Sequence, residues 1–338
     1  MKVTSRKRTA SPTLRPDTAG SAHRAAAFSG ISCLTKAPQR RIQRRVVDGV
    51  LFLDKPVGLT SNHALQKARR LLNAAKAGHT GTLDPMASGL LPLTFGEATK
   101  FSQTLLDADK GYDATVLLGV TTTTADAEGE VLARAEVRAS DAEVEAAMAR
   151  LRGEIEQVPP MYSALKHHGK ALYEYARAGI EIPREPRRVT IHRFECLGRD
   201  GDSLRIRVAC SKGTYVRTLA SDLGALLGCG AHLTALRRTH IGPFALDVTT
   251  PLADFEALSL EERDARLAPV DALLSHMGVQ LLDEVRMRSF THGQSVTVEE
   301  GTAGVLLRVY HDERFLGVGT LTEGGVLVPT RLMSTGTQ

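Results

Sequence analysis

Residues 78–89, GHTGTLDPMASG, limit the fold more than any other stretch of the chain. Three glycines, one proline and small polar residues suit backbone angles and missing donors that regular elements do not tolerate, so the segment reads as a loop. Both flanks carry ordered patterns. Upstream, VVDGVLFLDKPVGLTS is an apolar run closing in a turn. It is followed by SNHALQKARRLLNAAK, with Ala64, Leu65, Ala68, Leu71 and Leu72 at helical spacing behind a cap at Thr60 or Ser61. Downstream, LLPLTFGEATKFSQTLLDADK combines a short strand with a helix. The loop therefore holds its one carboxylate, Asp84, between framework elements.

The rest of the pattern mixes helices and strands without strict alternation. YDATVLLGVTTTTADAEGEV reads as two strands around a polar turn. SDAEVEAAMARLRGEIEQV reads as a helix, apolar at Val144, Met148, Leu151 and Ile155. SLRIRVACSKGTYVRTLASDLGALLGCGAHL is a strand, a glycine turn and a helix, and residues 251–277 read as a helical connector. From 278 the chain changes to short strands and glycine turns, the signature of a small β-barrel module. The predicted class is α+β, with a mixed-sheet domain over 46–250 and the β module over 278–338.

The formal net charge of +5 is unevenly divided. Residues 1–45 hold 11 Lys and Arg against Asp17 alone, a net of +10, and read as a disordered basic arm. The remainder holds 32 bases and 37 acids, a net of −5. Nucleic-acid binding by this body would need a local basic patch. Residues 160–193 offer one: Lys166, Lys170, Arg177, Arg184, Arg187, Arg188 and Arg193 interleave with Tyr162, Tyr173 and Tyr175. No apolar run approaches the roughly 18 residues of a membrane span. The start also lacks the apolar core of a secretory signal, so the expected location is cytoplasmic. Cys33, Cys196, Cys210 and Cys229 form no C-x-x-C pair and read as reduced buried thiols.

Taken singly, the candidate residues have ordinary readings. Asp84-Pro85 before MASGLL has the form of a helix cap with proline at the first helical position. His79 is a local hydrogen-bond partner, Tyr112 a core aromatic opening a strand, and Arg217 a cation after a strand-to-helix turn. Metal-ligand spacing, G-x-S-x-G and G-x-G-x-x-G are all missing from the sequence, so metal, serine-hydrolase and dinucleotide readings fall away.

Taken together, the blocks point one way. GHTGTLDPMASGLLPLTFGEATKFSQTLLDADKGY, QVPPMYSALKHHGKALYEYARAGIEIPREPR and CSKGTYVRTLASDLGALLGCGAHLTALRR, in that order, resemble the TruB family of tRNA pseudouridine synthases. The resemblance runs from about residue 48 to 335. It implies a pseudouridine synthase domain with an RNA-gripping insertion at 160–193, and a PUA-like RNA-binding module at the C-terminus. It further implies cofactor-free, standalone isomerisation of the uridine at position 55 in the tRNA T-loop.

The same resemblance assigns roles. Asp84, in G-H-T-G-x-L-D, becomes the nucleophile, and Arg217, in K-G-T-Y-x-R, its cationic partner. Tyr112 stacks on the flipped-out base and is the candidate for C5 proton transfer. Tyr215 and Leu236 close around that base, and His79 fills the space it vacates. Lys55, Lys166 and Arg188 are expected RNA contacts. Gly111 stands where many relatives carry a basic residue, a departure that bears on a peripheral phosphate contact and not on the chemistry. The rival readings are a tRNA-folding chaperone and a guide-RNA-dependent catalytic subunit. Retention of Asp84, Tyr112 and Arg217 opposes chaperoning as the sole role, and the block at 160–193 speaks for standalone action. The body is expected to act as a monomer on the tRNA T-arm, with no obligate protein partner and no membrane.

Overall fold

The computed structural model describes residues 43–299 and 301–334, so nearly all of the basic arm expected over 1–45, with Cys33, lies outside the described residues. The main sheet has ten strands: β1 (Gly49–Lys55), β2 (Ala77–His79), β3 (Ala87–Phe95), β4 (Lys110–Leu118), β5 (Gly153–Gln157), β6 (Arg187–Asp200), β7 (Ser203–Cys210), β8 (Ala231–Ile241), β9 (Phe244–Ala245) and β10 (Thr250–Pro251). Their order is β10-β1-β3-β8-β4-β7-β6-β5, with β2 beside β3 and β9 beside β8. The β1–β10 and β3–β8 pairs are parallel and the others antiparallel, which is the mixed sheet expected.

Three helices cover one face of this sheet: α1 (Ser61–Leu71), α2 (Asp141–Arg150) and α3 (Val216–Leu226). Ala64, Leu65 and Ala68 of α1, Val144 and Met148 of α2, and Leu219, Ala220 and Leu223 of α3 share one core with Leu51, Leu91, Val116, Ile206 and Val208 of the strands. Burying such apolar surface is the main stabilising term in the fold. Thr60 caps α1, its Oγ1 accepting from the His63 N–H at 3.1 Å. Ser140 and Glu143 close a reciprocal capping box on α2.

Two local expectations are corrected. The helix expected to run through Ile155 ends at Arg150; Gly153 takes a φ of 82°, and 153–157 becomes edge strand β5, paired with β6. Ile155 thus packs against the core from a strand. Asp84-Pro85 caps no helix, because Ala87–Phe95 is strand β3 and only a turn bond, Ala87 N–H to Asp84 O at 3.0 Å, follows the pair. The apolar run ASGLLPLTF is buried between sheet neighbours, which favours the strand over the helix that the cap signal suggested.

The connector holds two short helices, Leu252–Ala257 and Leu260–Asp264, and a turn at Ala272–Leu274. A second sheet follows, from β11 (Gly278–Leu281), β12 (Val296–Thr297), β13 (Leu306–His311), β14 (Arg314–Thr322) and β15 (Val326–Leu332), in the order β11-β13-β14-β15-β12. Helix α4 (Glu284–Thr291) places Phe290 in its small core with Val309, Leu316 and Leu327. Phe101, Leu274 and Val318 form a joint between this module and the main domain. Among the described residues no helix is long and apolar enough to cross a membrane. Cys210 and Cys229 are buried as expected, whereas Cys196 is exposed on β6.

Gly89 of β3 pairs with Arg238 of β8 at close quarters. Its φ is 103°, and a Cβ there would lie 2.2 Å from the Arg238 carbonyl oxygen. Gly89→Ala adds both a strained backbone and a clash with backbone atoms. We expect it to lower unfolding stability by about 2–5 kcal/mol in urea titration. A change below about 0.5 kcal/mol, the range of neutral surface substitutions, would contradict this packing.

Candidate active site

The loop between β2 and β3, the N-terminus of α3, the start of β4 with Leu106 before it, and the segment 163–165 meet around a cavity of about 320 Å³. Gly81, Thr82, Leu83 and Asp84 form one part of its wall, and Tyr215, Val216 and Arg217 adjoin them. Tyr112 and Lys110 of β4, Leu236 and Arg238 of β8, and Ser163, Ala164 and Leu165 complete it. The glycine-rich loop is tied down on both sides. Ser61 of α1 exchanges hydrogen bonds with the Leu83 backbone, at 2.7 and 3.1 Å, and the Gly58 N–H donates to Pro85 O at 2.8 Å.

Asp84 and Arg217 are paired. The guanidinium donates through Nε to one carboxylate oxygen at 2.9 Å and through Nη2 to the other at 3.3 Å. Its remaining donors reach the Thr124 carbonyl at 3.0 Å and the Tyr162 carbonyl at 2.7 Å. Asp126 lies 3.6 Å from Nε. Arg217 is thus 4% exposed with four acceptors around it, while Asp84 keeps 34% of its side chain open toward the cavity. Burial pushes Asp84 above the usual carboxylate range; the charge of Asp126 adds to this, and Arg217 and Lys55 oppose it. A bidentate carboxylate held on an otherwise buried guanidinium, with one side open, has the chemistry to act as a nucleophile or a base.

The other expected residues divide. Tyr112, Tyr215 and Leu236 line the same cavity as Asp84. Burial pushes the Tyr112 phenol up to about 12. Tyr215 is held by Gln157, whose side chain accepts from its N–H at 3.1 Å and donates to its carbonyl at 3.4 Å. His79 is half-buried on β2 but does not line the cavity, and burial lowers its proton affinity. Lys166 and Arg188 are exposed, on a two-stranded ribbon and on β6 respectively, and neither is part of the cavity wall. Lys55 is a correction. It was expected to meet RNA, but it is fully buried and donates to Pro56 O at 2.8 Å and Leu59 O at 2.6 Å. Burial brings it down to about 8. It acts inside the fold, behind Asp84.

Four contributors were not singled out from the sequence: Asp126, Lys110, Arg238 and the backbone of 162–165. Lys110 stands two residues before Tyr112 and Arg238 two after Leu236, so period-two alternation along β4 and β8 is the signal that places them on the same side. Asp126 carried no such signal, because it lies in an irregular turn.

Family models match along most of the described chain. The TruB family pseudouridylate synthase N-terminal domain matches residues 69–216, the tRNA pseudouridylate synthase B C-terminal domain 217–275, and the pseudouridine synthase II TruB C-terminal domain 279–333. The chain is 64% identical over 297 residues to tRNA pseudouridine synthase B of Aromatoleum aromaticum, covering 88% of this chain and 96% of that protein. It is 57% identical to the protein of the same name from Chromobacterium violaceum, covering 87% and 97%. The chain belongs to the TruB family. Its fold is similar to that in a solved Cbf5–Nop10–Gar1 complex, with a TM-score of 0.65 and 27% identity over 85% of this chain and 84% of that one. As a TruB-family enzyme it is a pseudouridine synthase, an isomerase.

Arg217→Lys tests the geometry of the pair. An ammonium cannot reproduce the two-pronged contact with Asp84 while also satisfying the Thr124 and Tyr162 carbonyls. We expect pseudouridine formation to fall by at least about 100-fold, with a stability loss of about 1–3 kcal/mol from the unpaired carbonyls. Near-normal turnover of this variant would show that the bidentate contact is dispensable.

Proposed function

We propose that the protein isomerises uridine to pseudouridine at position 55 in the T-loop of tRNA, alone and without a cofactor. The observation that carries this reading is the bidentate Asp84–Arg217 pair, open on one side to a cavity that Tyr112, Tyr215 and Leu236 also line. The relatives at 57–64% identity are named tRNA pseudouridine synthase B and are matched over nearly their whole length.

The reaction breaks the N1–C1′ bond and forms a C5–C1′ bond, while C5 loses a proton and N1 gains one. It needs no redox partner and no hydrolytic water. Asp84 supplies the nucleophile, adding either to C6 of uracil or to C1′ of ribose, and is released when the base has turned. Arg217 keeps the carboxylate ionised in a pocket that RNA closes. Tyr112 offers a ring face to the flipped base and an oxygen for the C5 proton, and Tyr215 and Leu236 close around it. His79 fills the space the base leaves in the loop.

RNA grip falls to the basic segment 160–193 and the C-terminal module, read here as PUA-like. Lys166 and Arg188 present their charges to solvent in the first of these. Lys170 lies 4.9 Å over the Tyr175 ring and Arg177 5.3 Å over Tyr173, so cations and rings are already stacked. The domain division at 46–250, 251–277 and 278–338, action as a monomer and a cytoplasmic setting belong to the same proposal, the last because that is where tRNA is found. Standalone action is favoured over guide-RNA dependence by identity: 64% to a tRNA pseudouridine synthase B against 27% to the Cbf5 chain.

Purified protein alone, on an unmodified tRNA transcript, is expected to produce a carbodiimide-dependent primer-extension stop at position 55. Asp84→Asn should bind the transcript almost normally and give no stop, since the swap keeps shape and removes the nucleophile. A stop with Asp84→Asn would move the chemistry elsewhere, and no stop with either protein would point to a chaperone or a missing guide RNA. In single-turnover rates against pH, the acid limb should lie above about pH 4, because the reactive carboxylate is lost as pH falls through a value raised from that of an ordinary Asp. A rate unchanged down to pH 4 would contradict the raised affinity.

A further inference from the structure

Arg238 is 1% exposed, the largest side chain among the fully buried ones, yet it carries a full charge. It is held by carbonyl oxygens, Nε donating to Leu90 O at 2.8 Å and Nη1 reaching Thr82 O at 3.5 Å. Nη2 has no partner of ordinary hydrogen-bond geometry. The neighbours make this arrangement costly. Burial lowers the proton affinity of Lys55, Lys110 and His79, and the Arg238 charge lowers each further. A buried cation surrounded by cations is a poor device for stability, since a well-packed apolar side chain would avoid the desolvation altogether. The charges of the guanidinium and of an ionised Tyr112 phenol favour one another. Arg238 and Tyr112 are directly opposite one another in the β4–β8 register, and both line the Asp84 cavity.

We propose that Arg238 is a positioning residue for Tyr112: from the buried side it fixes the phenol oxygen at the cavity wall and stabilises the negative charge that oxygen carries during proton transfer from C5. This rests on the role given to Tyr112 above. The proton balance requires such a group. The net reaction moves one proton from C5 to N1, so a phenol that relays it gives up its own proton and takes the C5 proton, passing through an oxygen with excess negative charge. Burial disfavours that state, and the phenol is pushed up to about 12 even with the Arg238 charge opposing. A guanidinium that stays charged is suited to offset it. The unpartnered Nη2 leaves a donor available to the phenol oxygen once substrate fills the cavity.

The test compares wild type, Arg238→Met, Arg238→Lys and Tyr112→Phe as full chains, on tRNA transcripts carrying hydrogen or deuterium at C5 of the target uridine. Melting and transcript affinity are measured alongside single-turnover rates. Arg238→Met should bind within threefold of wild type and react at least about 100-fold more slowly, within the range spanned by general acid–base contributions. Its rate should show a primary isotope effect at C5 larger than that of wild type. Arg238→Lys should recover part of the rate, and difluorotyrosine at position 112, a more acidic phenol, should recover part of it in the Met variant. A Met variant at normal rate would overturn the proposal, and so would a slow one with no isotope effect and no rescue, which would mark a packing or base-binding role. Should Arg238→Met fail to fold, Arg238→Lys decides by the same isotope effect. Full activity in Tyr112→Phe would instead remove the role of Tyr112 itself, whereas an inactive Tyr112→Phe beside a normal Arg238→Met would sink only the present proposal.

Discussion

The contact on which the site depends is the Arg217 guanidinium with its four acceptors. Asp84 comes from the loop before β3, Thr124 from the turn after β4, Tyr162 from the basic insertion, and Asp126 stands close behind. One planar cation thus joins three segments far apart in sequence to the first turn of α3. Burying a guanidinium is tolerable only where its donors are satisfied in this way, and losing one partner leaves charge or carbonyl uncompensated. The arrangement also explains why a carboxylate can remain in the cavity wall. Burial drives Asp84 toward its neutral form, and Arg217 is the largest opposing influence.

Around that pair the protein keeps several buried cations close together. Lys55 closes the turn after β1 through two carbonyls, and Lys110 ties down Leu105 and Leu106 at the end of the segment before β4. Both are brought down to about 8 by burial. These ammonium groups do structural work on backbone oxygens and at the same time set a positive environment around a carboxylate and a phenol. Charge fixed in place before substrate arrives needs no reorganisation during the reaction, and this is where electrostatic catalysis gains most.

Local pattern made much of the framework legible. The apolar spacing and Thr60 cap of α1, the strand–turn–helix of β7 and α3, and the change to short strands after 278 all follow from periodicity and turn chemistry. Where local signals competed, tertiary context decided. Ile155 fits a helical stripe, but Gly153 and the free edge of β6 turn 153–157 into a strand. Asp84-Pro85 has the form of a cap, but the apolar run behind it is more fully buried between β1 and β8 than it could be on a helix surface.

The sequence by itself determined most element types, the uneven charge and, through motif resemblance, the family, and it singled out Asp84, Tyr112 and Arg217 as candidates. These are properties of short stretches, written in residue type and spacing. Only the tertiary structure decided that Lys55 is buried rather than facing RNA, that Asp126 and the Tyr162 carbonyl share the Arg217 guanidinium, and that Arg238 stands against Tyr112. Those facts depend on contacts between residues up to 126 positions apart, whose distance is fixed by strand register and by where the chain can place charge away from water.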